Sequence, residues 1–470
     1  MIEQLSNAPW SFWLQMIVSL TLVGEAVRCW HAPWAKPALV VYGTVLFWYS
    51  GDYLTSNEAD YLVFKEATVT LGFLQVILFL FCFRWLLPRL SKHFSKEPLA
   101  ARRRRILAGR MRPTGSFSQR FLWSILLLLI LGWILVLGIG VYHAENLWPA
   151  LIWPPLHYEK VGMYPLTAMG SGNSFIFAAV GYIHLLIATM FGVLAVIGRG
   201  SLRWIAAVMV CLSWPYFWFD RARNKMLALI IPAFGAYWIA SRRPLAVKVA
   251  VTIVIVVATG FWFAKVMASR SGEGMTAFAS QEERGDSRQL GQDMLKELCW
   301  VNTFLREGSL KPNWGARYVA ELANPIPRAL WAGKPTVGID YSILRGFGGG
   351  EDLHGVYATV STGMIGQGCV NFGRFFGVVA AAGLFALWAA FLSRLWIQRA
   401  SPLRFALFVI GLGLTFNTGR DLTFLVLFPF VFGYLAVVAY ERLIIGKAAE
   451  RRGTQARSKV RGKSTTPAGA

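Results

Sequence analysis

The sequence has 470 residues, of which 56% are hydrophobic and only 15% are charged. Soluble domains carry about 25% charged residues, so the composition argues against a soluble protein and indicates a membrane protein. The net charge of +23 does not indicate nucleic-acid binding, because most Lys and Arg residues stand in short segments beside apolar stretches, where they set membrane topology.

Long apolar segments recur along the chain. About 20 apolar residues cross a ~30 Å hydrocarbon core, and residues 121–141 are the clearest case because they contain no charge. Backbone groups in lipid must bond within their own segment, so each span is expected to be a helix. The predicted fold class is an all-α integral membrane protein with about 11 transmembrane helices (roughly 10 to 12) and one large, mostly helical periplasmic loop. The predicted spans are 10–27, 38–54, 66–87, 121–142, 173–197, 203–219, 226–240, 245–264, 372–393, 403–418 and 422–440.

The distribution of basic residues predicts the orientation. Residues 84–120 contain 11 Lys and Arg residues and the segment from residue 442 onwards contains 8, so both are expected in the cytoplasm. Eight predicted spans separate the two segments, and this even number agrees with both assignments. The N-terminus is then periplasmic and the C-terminus cytoplasmic. The expected units are 1–264 (helices 1–8, with the basic cytoplasmic loop 88–120), the periplasmic loop 265–360, 361–447 (helices 9–11) and a basic, disordered tail 448–470.

The long loop 265–360 has the pattern of a folded segment. Apolar residues recur at helical spacing between residues 294 and 305, with Lys296, Glu297 and Arg306 between them. A second short helix is predicted over 316–323, ending before Pro325. Loops of this length are usually functional or disordered, and this pattern favours function.

The densest set of candidate functional residues lies in 324–371 of this loop. Arg328 and Lys334 stand among prolines and offer donors suited to phosphate oxygens. A Gly-rich stretch then precedes three titratable residues, and His354 in particular changes protonation near neutral pH. Alternatively, Arg328 binds lipid phosphate or caps a helix, and His354 is an exposed loop histidine. The candidate catalytic acids or bases are His354, Asp340, Glu351 and Asp352.

Basic residues also stand at predicted outer ends of spans. Arg223 and Lys225 lie in a tight turn, Arg420 lies in another, and Arg270 follows the span that precedes the long loop. Short outer turns normally avoid Lys and Arg, so an anionic substrate would explain these cations. Alternatively, they set topology or extend toward the membrane surface. No zinc motif, P-loop, dinucleotide fingerprint or nucleophile elbow occurs, so no metal or cofactor is expected.

Two local stretches and the predicted architecture give the chain a resemblance to a known family. The stretches are Ile326–Pro335, which contains Arg328, Trp331 and Lys334, and Ser361–Gly366, which is followed by Asn371, Phe372 and Gly373. In these features the chain resembles the O-antigen polymerase (Wzy-type) family of bacterial polysaccharide polymerases. Some members carry Arg, ten residues and Gly in two outer loops, and this chain departs from that spacing by one residue after both Arg223 and Arg328.

The resemblance implies an enzyme of the bacterial inner membrane that polymerises undecaprenyl-pyrophosphate-linked oligosaccharide repeat units at the periplasmic face. Because of the departure in spacing, the roles of the family's arginines are not transferred to Arg223 and Arg328. With such a substrate, the chemistry of the residues themselves predicts the pyrophosphate ligands Arg223, Lys225, Arg270, Arg328, Lys334 and Arg420 and the sugar-stacking residues Trp314 and Trp331. The product would be O-antigen, capsule or exopolysaccharide, and a chain-length regulator and a flippase are the expected partners beside membrane lipids. The alternatives are an O-antigen ligase that transfers glycan to lipid A core and a non-enzymatic transporter or flippase.

Overall fold

The computed structural model of this chain is helical throughout the part of the chain that it describes, with no strand among those residues. The described residues are 8–56, 58–94, 119–141, 174–219, 223–241, 243–271, 293–323, 326, 330, 331, 333–335, 338–346, 360–399, 401–423 and 428–442.

The helices that position the candidate site come from both halves of the chain. In chain order they are α1 (Trp10–Arg28), α2 (Ala35–Val45, continued by a π-helical turn at Leu46–Ser50), α3 (Gly51–Thr55), α4 (Glu58–Leu62), α5 (Glu66–Phe94), α6 (Gln119–Val141), α7 (Ser174–Ile197), α8 (Ser201–Phe219), α9 (Arg223–Ala240), α10 (Leu245–Ser271), α11 (Met294–Glu307), α12 (Ala316–Ala323), α13 (Ile339–Leu344), α14 (Gly363–Phe372), α15 (Phe376–Ile397), α16 (Pro402–Asn417) and α17 (428–442).

The apolar character of these helices indicates a helical membrane protein. Among the described residues, four helical segments are long and apolar enough to cross a bilayer: Trp10–Arg28, Glu66–Phe94, Gln119–Val136 and Phe376–Ile397. Five further apolar helical segments are shorter: Gly181–Ile197, Ser201–Ser213, Leu229–Ala240, Leu245–Phe261 and Pro402–Asn417. Each predicted span includes helix among the described residues, because a run of apolar residues satisfies its backbone hydrogen bonds internally.

Two hydrophobic cores organise the helices. The first joins α1, α2 and α5 to α11, α14 and most of α15, with Phe73, Leu298 and Ala382 fully buried in it. The second core contains residues of α6, α7, α8 and α9 together with α16 and α17, around residues such as Phe191 and Phe408. Helix α15 contributes to both cores, so it connects the helices of the long loop to those of the second core.

The long loop contributes core structure as well as surface. The sequence predicted helices near 294–305 and over 316–323, and α11 and α12 confirm both. Lys296 and Glu297, which stand between the apolar residues of α11 in the sequence, are both buried in the fold. Buried charges require partners, and Asp60 and Arg345 supply them.

Helix α14 folds back alongside α15 and thereby brings Thr362 into the fold. The chain reverses at Gly373, whose φ of 82° is readily adopted only by glycine. The two helices then approach so closely that a Cβ on Gly368 would lie 2.2 Å from the carbonyl oxygen of Gly377. Gly373, in the Asn371–Gly373 stretch, thus has a structural role in this hairpin.

Candidate functional site

The start of α14 is hydrogen-bonded to the turn that follows α16. The backbone N–H and the hydroxyl of Thr362 donate to the Asp421 carboxylate, with distances of 3.2 Å from the N–H to Oδ2 and 3.0 Å from Oγ1 to Oδ1. The N–H of Met364 donates to the carbonyl oxygen of Gly419 at 3.1 Å. Asp421 therefore lies buried at the N-terminus of α14, where its negative charge is favourable.

Arg317, on the short helix α12, points into this region from the long loop. The residue is only 4% exposed. Its Nη2 donates one long hydrogen bond of 3.4 Å to the carbonyl oxygen of Val360. Within the described part of the chain, its Nε and Nη1 atoms have no hydrogen-bond partner. Arg317 is thus a buried cation with most of its donors unused.

Space for this guanidinium is left by Gly338, just before α13. A Cβ at this position would lie 2.9 Å from Nη2 of Arg317, and the φ of 67° also favours glycine. The loop helices α12 and α13 therefore meet at the Arg317 side chain. Asp340 lies two residues further on, in the first turn of α13.

A second arginine stands beside Asp421. Arg420 is partly buried, and among the described residues its Nε atom has no hydrogen-bond partner. Burial raises the pKa of the Asp421 carboxyl above its ordinary value, while the positive charges of Arg317 and Arg420 and the hydrogen bond from Thr362 act in the opposite direction. Arg317, Arg420 and Asp421 are therefore electrostatically coupled, and we call them the arginine cluster.

The arginine cluster is suited to binding an anion. A buried donor that lacks a partner costs about 1–3 kcal/mol, and a buried guanidinium needs an anionic oxygen to offset its desolvation. The planar fork of Arg fits the oxygens of a phosphate or pyrophosphate. Asp421 is hydrogen-bonded to the start of α14 and its negative charge is favourable to both arginines, while their unused donors remain for a ligand.

A second buried charge group lies nearby, on α11, on α13 and directly after α13, and its opposite charges are paired. Arg345 donates from Nε and Nη2 to the two Glu297 oxygens at 3.1 and 3.0 Å, and the Tyr341 hydroxyl also donates to Glu297. The Arg345 guanidinium also lies 4.7 Å from the centre of the Trp300 ring. We call Glu297, Tyr341 and Arg345 the paired cluster, and its role is to join the loop helices.

The structure describes the side chains of five predicted site residues. Among the described side chains, Asp340 is exposed, and Lys334 is partly buried and donates from Nζ to the carbonyl oxygen of Ile326 at 2.9 Å. Trp331 is 40% exposed and Trp314 is 81% exposed, so each has surface available for stacking. Arg420 is the predicted cation that the structure brings into the arginine cluster.

The remaining predictions concern residues or side chains outside the described part of the chain. Arg328, Glu351, Asp352 and His354 are not among the described residues. The backbone of Arg223 and Lys225 forms the first turn of α9, and that of Arg270 the last turn of α10, but their side chains are likewise outside the description.

Arg317 and Asp421 were missed by sequence reasoning. Arg317 lies within the predicted helix 316–323, where a single cation looks like an ordinary surface residue. The available signal was its helical position: Arg317, Ala320 and Glu321 follow one another at i, i+3 and i+4, and all three are buried. Asp421 stands directly after Arg420, in a turn that the sequence singles out by its positive charge.

No protein-family model matches this chain, and neither a curated protein nor a solved structure is similar enough to count as a match.

Proposed function

We propose that this protein polymerises polyprenyl-pyrophosphate-linked oligosaccharide repeat units, with undecaprenyl pyrophosphate as the carrier, at the periplasmic face of a bacterial inner membrane. The observation that carries the proposal is the arginine cluster, in which the guanidinium groups of Arg317 and Arg420 retain unused donors beside Asp421. Such a site fits a pyrophosphate held at the mouth of a helical membrane protein. The topology of about 11 spans with the long loop outside is part of this proposal.

The chemistry is a glycosyl transfer driven by a good leaving group. The bond between the sugar anomeric carbon and the pyrophosphate oxygen of the donor breaks, and a bond to a hydroxyl oxygen of the acceptor sugar forms. The acceptor proton passes to a base, and polyprenyl pyrophosphate leaves. Negative charge grows on the leaving pyrophosphate, so preorganised Arg donors stabilise the transition state more than the ground state. No nucleotide and no metal is required by this step.

The acid–base residue of the proposed reaction comes from the long loop. Asp340 is exposed on α13 next to the Gly338 segment that contacts Arg317, so it is a candidate for the base. His354, Glu351 and Asp352 remain candidates from the sequence. Arg328, Lys334, Arg223, Lys225 and Arg270 would hold the second pyrophosphate, and Trp314 and Trp331 would stack on the glycan.

The proposal is tested by glycan length in cells that lack the native gene and express equal amounts of each variant. Arg317→Gln removes the buried cation, and the ladder of glycan lengths is expected to collapse to single repeats. The matched control is Lys311→Gln, which removes an exposed positive charge from the same loop and is expected to leave the ladder unchanged. A wild-type ladder from Arg317→Gln at normal protein abundance would refute the role of the cluster.

The same experiment on a gene deletion separates the alternatives. Loss of a polymerase leaves single-repeat glycans, loss of a ligase leaves no glycan on lipid A, and loss of a flippase leaves no glycan outside the membrane. Only the first outcome agrees with the proposal.

A further inference from the structure

A cavity of about 460 Å³ lies at the end of α15 remote from α14. Helix α16 begins just after this end of α15 and, with 16 residues, is about 24 Å long, so the arginine cluster at the turn after α16 lies far from this cavity. Its walls come from the α1–α2 connection, the α9–α10 connection and the end of α15. The lining residues are Trp30, His31, Lys36, Trp238, Ile239, Arg243, Leu245, Lys248, Trp396 and Arg399. We call it the tryptophan cavity.

The charge of this lining is strongly one-sided. Four lining residues are Lys or Arg, and none of the lining residues is Asp or Glu. The basic residues also come from three separate connections of the chain, so tertiary packing has brought like charges together. Like charges in a shared cavity repel each other, and a bound anion would attract all of them and so make the electrostatic energy of the cavity favourable.

Lys36 occupies the centre of this arrangement. It is only 5% exposed, and its Nζ lies 4.4 Å from the centre of the Trp30 ring and 4.2 Å from that of Trp396. The same Nζ donates to the carbonyl oxygen of Trp30 at 2.7 Å. The ammonium is thus held between two aromatic rings and a carbonyl, which fixes its position without neutralising its charge.

Two further cations are held in the same manner. Arg399 lies 4.3 Å from the centre of the Trp396 ring and donates from Nη1 to the Trp396 carbonyl oxygen at 3.0 Å. Lys248 donates from Nζ to the carbonyl oxygen of Trp238 at 3.0 Å. Each cation therefore has a fixed position, and each ammonium or guanidinium retains capacity for further hydrogen bonds.

The composition of the cavity matches a phosphate attached to an apolar body. Trp is enriched at the membrane–water interface, and basic pockets between helices bind lipid head groups. The topology predicted from sequence assigns the segments 28–37, 241–248 and 393–404 to one side of the membrane. All three walls of the cavity belong to these segments or to the helix ends beside them.

We propose that the tryptophan cavity binds the phosphate group of an anionic phospholipid, with Lys36, Lys248 and Arg399 as the phosphate ligands and the three Trp rings against the glycerol and acyl region. This site is independent of the proposed glycosyl transfer and concerns the other end of the molecule. Free phosphate presents the same charged group, so the two sources must be separated by experiment.

The test measures lipid retention by the purified full chain with native mass spectrometry. The probes are dioleoylphosphatidylglycerol, dioleoylphosphatidylcholine and inorganic phosphate, each titrated separately. Phosphatidylglycerol is expected to bind at least about tenfold more tightly than phosphatidylcholine, whose choline cation opposes the basic lining. Equal binding of the two lipids would overturn the proposal, and so would inorganic phosphate that prevents retention of phosphatidylglycerol at equal concentration.

Variants assign the binding to this cavity. Arg399→Gln is expected to weaken phosphatidylglycerol retention by roughly tenfold or more, because one charge-assisted hydrogen bond is lost. Lys36→Gln tests the buried ammonium. If Lys36→Gln does not fold, Arg399→Gln still tests the site. The control is Arg203→Gln, an exposed arginine in another short segment assigned to the same side. Wild-type retention in Arg399→Gln, or equal losses in Arg399→Gln and Arg203→Gln, would place the lipid elsewhere and refute the site.

Discussion

The paired cluster and the arginine cluster are both buried and both built partly from the long loop, yet their hydrogen bonding differs. Glu297 receives donors from Tyr341 and from two nitrogens of Arg345, so opposite charges are matched. Arg317 has a single long hydrogen bond and two nitrogens without a partner among the described residues. Both clusters are therefore buried, and they differ in whether their charged groups have hydrogen-bond partners.

This difference separates a stabilising role from a binding role. A buried ion pair with all its hydrogen bonds made joins elements of the fold, and removing one partner is strongly destabilising. A buried cation with unused donors is unfavourable in the unliganded protein and becomes favourable when an anion binds. Variants at the two clusters therefore distinguish a loss of stability from a loss of activity.

Glu297→Gln should lower the free energy of unfolding by about 3–5 kcal/mol, because it leaves the Arg345 charge buried without its carboxylate. Denaturant unfolding in mixed micelles measures the change. Glu307→Gln, at the exposed end of the same helix, is the control and should change stability little. If the two variants unfold alike, the paired cluster does not stabilise the fold.

Arg317→Lys should raise the barrier of glycosyl transfer by about 2–4 kcal/mol, since Lys retains the charge but loses the planar fork of donors. Its stability should stay within about 1 kcal/mol of wild type, because the replaced donors have few partners in the unliganded protein. Turnover is measured from glycan ladders at equal protein abundance. A variant that is destabilised like Glu297→Gln but polymerises normally per folded molecule would make Arg317 structural.

Asp52→Ala should destabilise the fold by about 1–2 kcal/mol. The Asp52 carboxylate accepts from the backbone N–H groups of Leu295 at 2.9 Å and Lys296 at 3.0 Å, and so caps the start of α11. Ser56→Ala removes only a hydroxyl that donates to Asp52 at 2.8 Å and should have a smaller effect. The same unfolding assay ranks the two variants, and the reverse ranking would contradict the capping role.

Trp314→Gly should change stability least, by under about 1 kcal/mol and toward greater stability. The φ of 52° at Trp314 is strained for an aromatic residue, and relief of that strain is partly offset by the flexibility of glycine in the unfolded chain. If Trp314 stacks on the glycan, the ladder should nevertheless shorten. Trp314→Asn separates the effects, because Asn tolerates this backbone conformation without an aromatic ring. Full-length glycan from both variants would exclude stacking.

The local sequence pattern was sufficient to predict the helices, but it was not sufficient to predict the surroundings of their charged residues. The apolar spacing of Met294, Leu295 and Leu298 predicted α11, because burial of one helix face determines that spacing. The same pattern did not show that Glu297 is buried, because Arg345 and Tyr341, which fold over it, are distant in the sequence. Forty-eight positions separate Glu297 from Arg345, and only tertiary packing brings them together.

The sequence by itself determined the class of the protein: apolar runs of membrane length must form helices, because lipid offers their backbone groups no hydrogen-bond partners. It also located the long loop, two of its helices and the unusual turn at Arg420. Only the tertiary structure decided which charges meet. Arg317, Arg420 and Asp421 become one cluster because α12, α14 and the turn after α16 converge, and the strength of an electrostatic interaction depends on distance and burial in space, which sequence separation does not specify.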